Sequence, residues 1–417
     1  MTKSVGHQAA TVRQPVSERV DGRPAVLGGE PVFPEGLPFM RPTLPRWEAL
    51  ADPLREIIES GMLTKGRHLE AFERAIADYL GVRHAVGVSS CTAGLLLTCL
   101  CLDLHGEVLV PSFTFMATVH AMVWQQLTPV FVDVDAKTWN IDPVAAERAI
   151  TPRTTAIVGV HVFGNPAPVE ELEQMAARHG LTLILDAAHG FGALHHGQPV
   201  GRYGHAEVFS SSPTKLLVTG EGGVVTTNDG ALAERLRVAR EYGNPGNYDS
   251  LLPGINARMQ EFSAILGLET LKTLEENAQR RNALVARYKE RLAAVPGISY
   301  QEVQPYDRSS YKDLTIRINA AQFGLDRDQF AIALRAEGIG TRQYYVPPVH
   351  QHTTYRELVK HQRPHLPVTE ALAPEVLSLP IYSHMPAESV DRVCDAIVRI
   401  QSHAAEIIAA FSAKRET

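Results

Sequence analysis

The sequence predicts an α/β protein: a large unit on a mostly parallel sheet with helices on both faces, then a smaller α+β unit. Three observations carry that prediction. Between His84 and Thr227, short runs rich in Val, Ile and Leu alternate with helical segments, the signature of repeated βα units. Those runs are apolar on both faces, as strands covered from both sides must be. A long helical stretch rich in Ala, Leu and charge, Arg258 to Ala294, then separates the repeats from a region with fewer strands. The two units are expected at residues 28–290 and 291–417, with residues 1–27 a loose tail lacking periodicity.

The elements follow in order. Pro31 to Pro45 reads as an extended, proline-punctuated segment. Trp47–Ser60 and Arg67–Leu80 carry helical periodicity, broken by Gly61 to Gly66. His84–Val88 is a strand and Thr92–Leu102 an apolar helix; Glu107–Val110 is a strand and Thr114–Gln125 a helix. Pro129–Val134, Ala156–Phe163, Leu181–Leu185, Ala206–Ser210 and Gly223–Thr227 are further strands, with helices at Pro143–Ala149 and Val169–His179. In the second unit Leu314–Ile318 is a strand, Asp326–Glu337 a helix and Ala387–Phe411 a closing helix.

Composition excludes several classes. The net charge is −6 and no long basic run occurs, so nucleic acid and anionic membranes are poor partners. The longest nearly apolar run, Leu95 to Leu102, is too short to span a bilayer. Residues 1–28 have no apolar core of a signal peptide. Of the four cysteines, Cys99 and Cys101 read as core thiols and no pair has zinc spacing, which fits a reduced, cytoplasmic chain. His195-His196 reads as a turn rather than a metal site, because no carboxylate lies at useful spacing.

The chemistry centres on Lys215, in Phe209-Ser-Ser-Ser-Pro-Thr-Lys215 followed by Leu216 to Gly223. Small hydroxyl neighbours leave room for a flat ligand, and the glycines allow a tight turn after the lysine. A lysine so enclosed can lose its proton and form a Schiff base with an aldehyde. Upstream, Leu183-Ile-Leu-Asp186 reads as a buried strand ending in a carboxylate. An amine and a carboxylate at neighbouring strand ends are what pyridoxal phosphate requires: a carrier for its aldehyde and a partner for its ring nitrogen. Ser89 to Gly94 opens a helix after a strand, so free N–H groups with Ser and Thr hydroxyls could cradle the phosphate, against the plainer reading of an N-cap. Ser210 could reach the same phosphate. One of Phe113 and Phe115 could stack on the ring while the other packs in the core. His189 could hydrogen-bond the aspartate or the ring hydroxyl region, or be a core histidine. Gly220 to Gly223 lacks both the Walker lysine and the Rossmann spacing.

Together these segments resemble the DegT/DnrJ/EryC1/StrS family of sugar aminotransferases. The similar runs are Gly61 to Arg67, Ser90 to Leu95, Pro111 to Thr118, Asp186 to His189, Phe209 to Gly223, Gly254 to Met259 and Tyr345 to His350. The resemblance implies a fold-type I pyridoxal phosphate enzyme. It implies Lys215 as the covalent carrier, Asp186 on the ring nitrogen, Phe115 on the ring face, and Cys91, Thr92 and Ser210 on the phosphate. Asn256 would reach the phosphate in a neighbouring subunit, making the active unit a homodimer with shared sites, and Tyr345 and His350 would lie near the sugar. Two positions depart from the family: Ser212 stands where His is frequent, and Cys91 where Gly is frequent.

The implied reaction moves an amino group from L-glutamate or L-glutamine to a keto sugar, in particular a nucleotide-linked 4-keto-6-deoxyhexose. An aminocyclitol aminotransferase acting on a keto-inositol such as scyllo-inosose, and a non-catalytic pyridoxal phosphate-binding protein, are the alternatives. A dehydratase branch of the family has histidine in place of the lysine, and Lys215 favours transamination.

Overall fold

The computed structural model describes residues 22–413. The strands of the large unit are β1 (His84–Val88), β2 (Glu107–Pro111), β3 (Thr128–Val132), β4 (Thr154–Val160), β5 (Thr182–Ala187), the short hairpin β6 (Leu194–His195) and β7 (Gln198–Pro199), β8 (Ala206–Ser210) and β9 (Gly223–Thr227). Seven of them form one sheet in the order β1-β9-β8-β5-β4-β2-β3. All pairings are parallel except those of β9, which runs antiparallel to both β1 and β8. The prediction of a mostly parallel sheet therefore holds, and the exception has a local cause. β8 and β9 are joined by a turn on the same side of the sheet, not by a crossover helix, and a direct return reverses direction. That turn carries Lys215.

Apolar side chains cover both faces. On one, Leu95, Leu97, Val119 and Met122 pack against Val86, Val108, Val158 and Val208. On the other, Leu109, Ile157, Leu183 and Leu185 meet Leu172 and Met175, while Phe72 and Ile76 join Phe209 and Val224. Gly94 allows the helix Cys91–Cys101 to approach: a Cβ there would lie 2.7 Å from Val208.

The second unit has an antiparallel sheet of β10 (Ile298–Tyr300), β11 (Leu314–Ile318) and β12 (Val376–Leu379), with β11 central. Its core takes Leu284, Tyr288 and Leu292 from the helix Leu274–Leu292, and Phe33 and Leu37 from the chain's beginning.

Several boundaries differ from the sequence reading. The stretch Arg258–Ala294 is two helices, Glu261–Leu271 and Leu274–Leu292. The predicted closing helix is likewise two, Ala387–Ser402 and Ala404–Ala413. Residues 1–21 of the expected loose tail lie outside the described residues, but residues 22–27 are tied down. Glu337, fully buried, accepts the Ala25 and Val32 N–H groups at 2.9 and 3.0 Å and pairs with Arg399. The helix Gly230–Ala239, capped by Asp229, was not read from the sequence.

One long-range cap ties the first helices to the large unit. Glu261 is 1% exposed and accepts N–H bonds from Gly66 (2.9 Å), His68 (2.9 Å) and Leu69 (3.1 Å) at the start of the helix Arg67–Leu80. Those donors belong to the first helical turn and its cap, where intrahelical partners are lacking. Glu261→Ala strands them in the interior and should lower the unfolding free energy by about 2–4 kcal/mol, read by chemical denaturation. A loss no larger than that of an exposed glutamate would show that the cap contributes little.

Candidate active site

At the carboxyl ends of the parallel strands lies a cavity of about 360 Å³. Its lining includes Cys91, Thr92, Phe115, Asp186, His189, Ser210, Lys215 and Tyr345, residues from distant parts of the sequence. Asn256 and His350 do not line it. Asn256 is exposed and bridges to Glu241, and His350 is bound to Ser112 Oγ through Nδ1 at 2.6 Å.

Each side chain has a local reason for its place. Asp186 sits near the end of β5 and is 5% exposed. It accepts the Thr118 hydroxyl at 2.7 Å and the Ala188 N–H at 3.0 Å. Burial raises its pKa despite these two bonds, so the site favours a cationic partner for this carboxylate. Lys215 rides the turn between β8 and β9. That turn is clamped by the Ser211 and Thr219 hydroxyls, 2.7 Å apart, and by backbone bonds from Ser211 to Gly222 and from Thr219 to Ser211. Burial, and then the Lys312 ammonium, pull the Lys215 pKa down to about 8, so roughly a tenth of the amine is unprotonated at neutral pH, far more than for an ordinary lysine.

The helix Cys91–Cys101 points its N-terminus at the cavity. Ser90 caps it, accepting the Ala93 N–H at 3.1 Å, so the N-cap expected as the plainer reading is present for Ser90. The first-turn N–H groups and the Thr92 hydroxyl remain for an anion. Gly223 lets β9 press on this turn, since a Cβ there would lie 2.6 Å from the Cys91 nitrogen. The Cys91 thiol faces Asp186 at 4.0 Å, and burial pushes its pKa up, keeping it protonated.

Phe115 is 51% exposed and tilts toward Tyr345, with ring centroids 6.5 Å apart. Phe113 is fully buried against Phe163 and Tyr345. Phe115 is thus the ring open to a ligand. His189 stacks on Phe163. Its Nδ1 is buried without a partner, and burial followed by the Lys215 and Lys312 charges holds the imidazole neutral. A buried ring nitrogen without a partner, a buried carboxylate without a salt-bridge partner, an enclosed amine and a helix N-terminus aimed at the cavity fit a flat, phosphorylated aldehyde carrying a protonated ring nitrogen.

The sequence of the chain settles the family. The family's sequence profile, described as the DegT/DnrJ/EryC1/StrS aminotransferase family, matches residues 47–398. The chain belongs to this family. It is 39% identical over 342 residues to the erythromycin biosynthesis sensory transduction protein EryC1 of Saccharopolyspora erythraea, covering 81% of this chain and 92% of the relative. It is 34% identical over 379 residues to the spore coat polysaccharide biosynthesis protein SpsC of Bacillus subtilis, covering 87% of this chain and 96% of the relative. The crystal structure of DesI in the presence of its TDP-sugar product is similar, with a TM-score of 0.87 and 38% identity over 93% of this chain and 98% of that one. DesV of S. venezuelae, in complex with a ketimine intermediate, has a TM-score of 0.79 and 35% identity over 88% of this chain and 99% of DesV. The enzyme is a pyridoxal phosphate-dependent sugar aminotransferase of fold type I.

Sequence reasoning missed a buried charged pair in the cavity wall, along with Tyr344 and Glu221 of the same lining. Lys312 and Asp313 are 5% and 2% exposed and pair at 2.9 and 3.0 Å. An adjacent Lys-Asp before a strand is an ordinary surface pattern, and no local signal distinguished it.

The reading of His195-His196 needs correction on one point. No carboxylate is close in sequence, but the fold brings two. His195 meets Asp307 at Nδ1 (2.8 Å) and Glu170 at Nε2 (2.6 Å), with His196 stacked on Tyr306 beside it. Burial alone would lower the His195 pKa, but the bonds to Asp307 and Glu170 outweigh it and raise it. A raised folded pKa adds stability that is full below the unfolded value and lost as pH rises through the folded one. Unfolding free energy should therefore fall as pH climbs above about 6.5. The His195→Gln variant should lack that component. Superimposable pH profiles of the two proteins would remove His195 as its source.

Proposed function

We propose that the enzyme transfers the amino group of L-glutamate or L-glutamine to a nucleotide-linked keto sugar, a 4-keto-6-deoxyhexose, in amino-sugar biosynthesis. The observation that carries this is the convergence of an enclosed amine, Lys215, and a buried carboxylate, Asp186, on one cavity open to solvent past Phe115. DesI, with its TDP-sugar product, supports the acceptor class. Among the described residues no helix is long and apolar enough to cross a membrane, and all four thiols are free. Both fit work in a reducing cytoplasm.

Pyridoxal phosphate, when bound, supplies an aldehyde carbon that exchanges amines and a ring that withdraws electrons. Asp186 would hold a proton on the ring nitrogen, and Thr118 and Ala188 fix its carboxylate for that task. Lys215 would carry the group, and its free Nζ would take the donor's α-proton as a general base and hand it on as a general acid, with the reverse sense for the acceptor. The first-turn N–H groups at Cys91 and Thr92, with the Thr92 and Ser210 hydroxyls, would hold the phosphate. Phe115 would cover the ring, and His189, in the same cavity wall as Asp186, would face the ring hydroxyl. Tyr345 would border the sugar. His350, bonded to Ser112, acts at most by holding the segment that carries Tyr345.

Wild-type enzyme loaded with pyridoxal phosphate should lose its yellow absorbance band on addition of L-glutamate and gain the pyridoxamine band. Lys215→Ala should lack the lysine-bound band, and Asp186→Ala should slow the donor half-reaction by about 10²–10⁴-fold. Full activity of Asp186→Ala would remove its assigned role. A panel of nucleotide ketosugars and keto-inositols given to the aminated enzyme then reads the acceptor. Turnover of only a keto-inositol would overturn the nucleotide-sugar assignment.

We further propose a homodimer in which Asn256, exposed and outside its own cavity, completes the phosphate site of the partner subunit. Lys215→Ala and Asn256→Glu should each be nearly inactive. Random pairing of an even mixture should restore about a quarter of wild-type activity, since one site in each mixed dimer escapes both changes. No recovery in mixed dimers verified by mass would place Asn256 outside the shared site.

A further inference from the structure

In transamination the amino donor brings a carboxylate on the very carbon that loses its proton, next to the atoms held by Lys215. The part of the cavity wall that this chain supplies can meet that anion in few ways. Among the described residues lining it, the cations are Lys215 and Lys312, and no arginine is present. Lys215 is committed to the cofactor. The carboxylates Asp186, Asp313 and Glu221 repel an anion.

Lys312 is placed by contacts that reach both units. It lies two residues before the strand β11, and its N–H donates to the Phe163 carbonyl at 3.1 Å. Arg281, itself buried, donates to the Tyr311 and Lys312 carbonyls at 3.1 and 3.2 Å. Ser310 donates to the His189 carbonyl at 2.7 Å, tying this segment to the cofactor-facing histidine. The Lys312 ammonium lies 5.3 Å from the centroid of the Tyr344 ring and spends its contacts on the two Asp313 oxygens. An ammonium has three N–H donors, so one stays available. A buried lysine of this kind is costly unless paired, and here the pair stands in the wall of a ligand cavity rather than in a packed core.

Building on the aminotransferase reading, we propose that Lys312, oriented by Asp313, recognises the α-carboxylate of the amino donor. The acceptor cannot be the main ligand of this ammonium. The reacting carbon of a 4-keto-6-deoxyhexose is flanked by neutral groups, and its phosphates hang from the far side of the ring. In the second half-reaction the same N–H meets at most a hydroxyl, a weaker partner than a carboxylate.

The test uses the loaded enzyme and follows each half-reaction by absorbance. Lys312→Met should raise the apparent dissociation constant for L-glutamate by about 10–100-fold, the loss of one hydrogen bond to a charged group. The limiting rate of the donor half-reaction should change far less. Lys312→Arg should recover part of the affinity. 4-Aminobutanoate, which is glutamate without its α-carboxylate, should bind wild type more weakly than L-glutamate does. A second measurement needs no variant: L-glutamate with its α-carboxylate converted to the amide should bind wild type at least about tenfold more weakly. Lys312→Met should bind the two donors alike. Equal handling of acid and amide by wild type overturns the proposal, as does an unchanged glutamate constant in Lys312→Met. A defect of Lys312→Met confined to the keto-sugar half-reaction also overturns it, in favour of a contact to the acceptor. Wild type inert to every amino donor would instead sink the aminotransferase reading itself, so the two failures are distinct.

Discussion

A buried carboxylate held without a salt-bridge partner at the end of a parallel sheet is the constraint around which this molecule is arranged. Asp186 is buried, and burial favours its neutral form. The Thr118 hydroxyl and the Ala188 N–H support its charge, with the Cys91 thiol 4.0 Å away and the Lys215 charge in the same cavity. Such an arrangement is unfavourable in isolation and becomes favourable when a protonated ring nitrogen enters. The same cavity depresses the pKa of Lys215 through burial and the Lys312 charge. One desolvated space thus prepares both ends of the cofactor: an acid-holding end and an amine-donating end. The parallel sheet supplies this geometry because its strands end together, and the β8–β9 return places the lysine across from the aspartate.

Much of this was legible because its signals are local. Buried strands announce themselves as runs of branched apolar residues, and Asp186 stood out as a charge at the end of one. Lys215 stood out by its small neighbours and glycines. The Ser90 cap and the helix it starts follow from a hydroxyl before an apolar run. Distinguishing Phe115 from Phe113 needed the family resemblance, and in the structure burial separates them: one ring is half open and the other is enclosed.

What stayed hidden depends on chain segments far apart in sequence. The break at Thr273 lies inside a stretch with continuous helical character, so periodicity ran through it. β9 reverses direction because of how the lysine-bearing turn returns, which no strand composition encodes. Glu170 and Asp307 reach His195 from 25 and 112 residues away. Lys312 and Asp313 look like surface charges until the second unit packs against Phe163 and His189. Local pattern reveals groups that a strand end or a turn displays, and it is silent on groups that tertiary contact alone carries inward.

That division has a chemical consequence. The cofactor end of the cavity is built mainly by the large sheet, with Asp186, Ser210 and Lys215 on adjoining strand ends. Its far wall is built by the entry to β11, with Lys312 and Asp313. The two meet at a close contact: a Cβ on Gly164 would come within 1.9 Å of Ser310 Oγ, and the same hydroxyl donates to His189. Binding of the cofactor and choice of the substrate anion are therefore set by different parts of the chain joined at one tight seam. A change in the core of the second unit that shifts this seam moves Lys312 relative to Lys215 while leaving the Asp186 environment in place. Since a misplacement of about 1 Å in a positioning group can cost on the order of 10²-fold in rate, packing far from the reacting atoms bears directly on turnover.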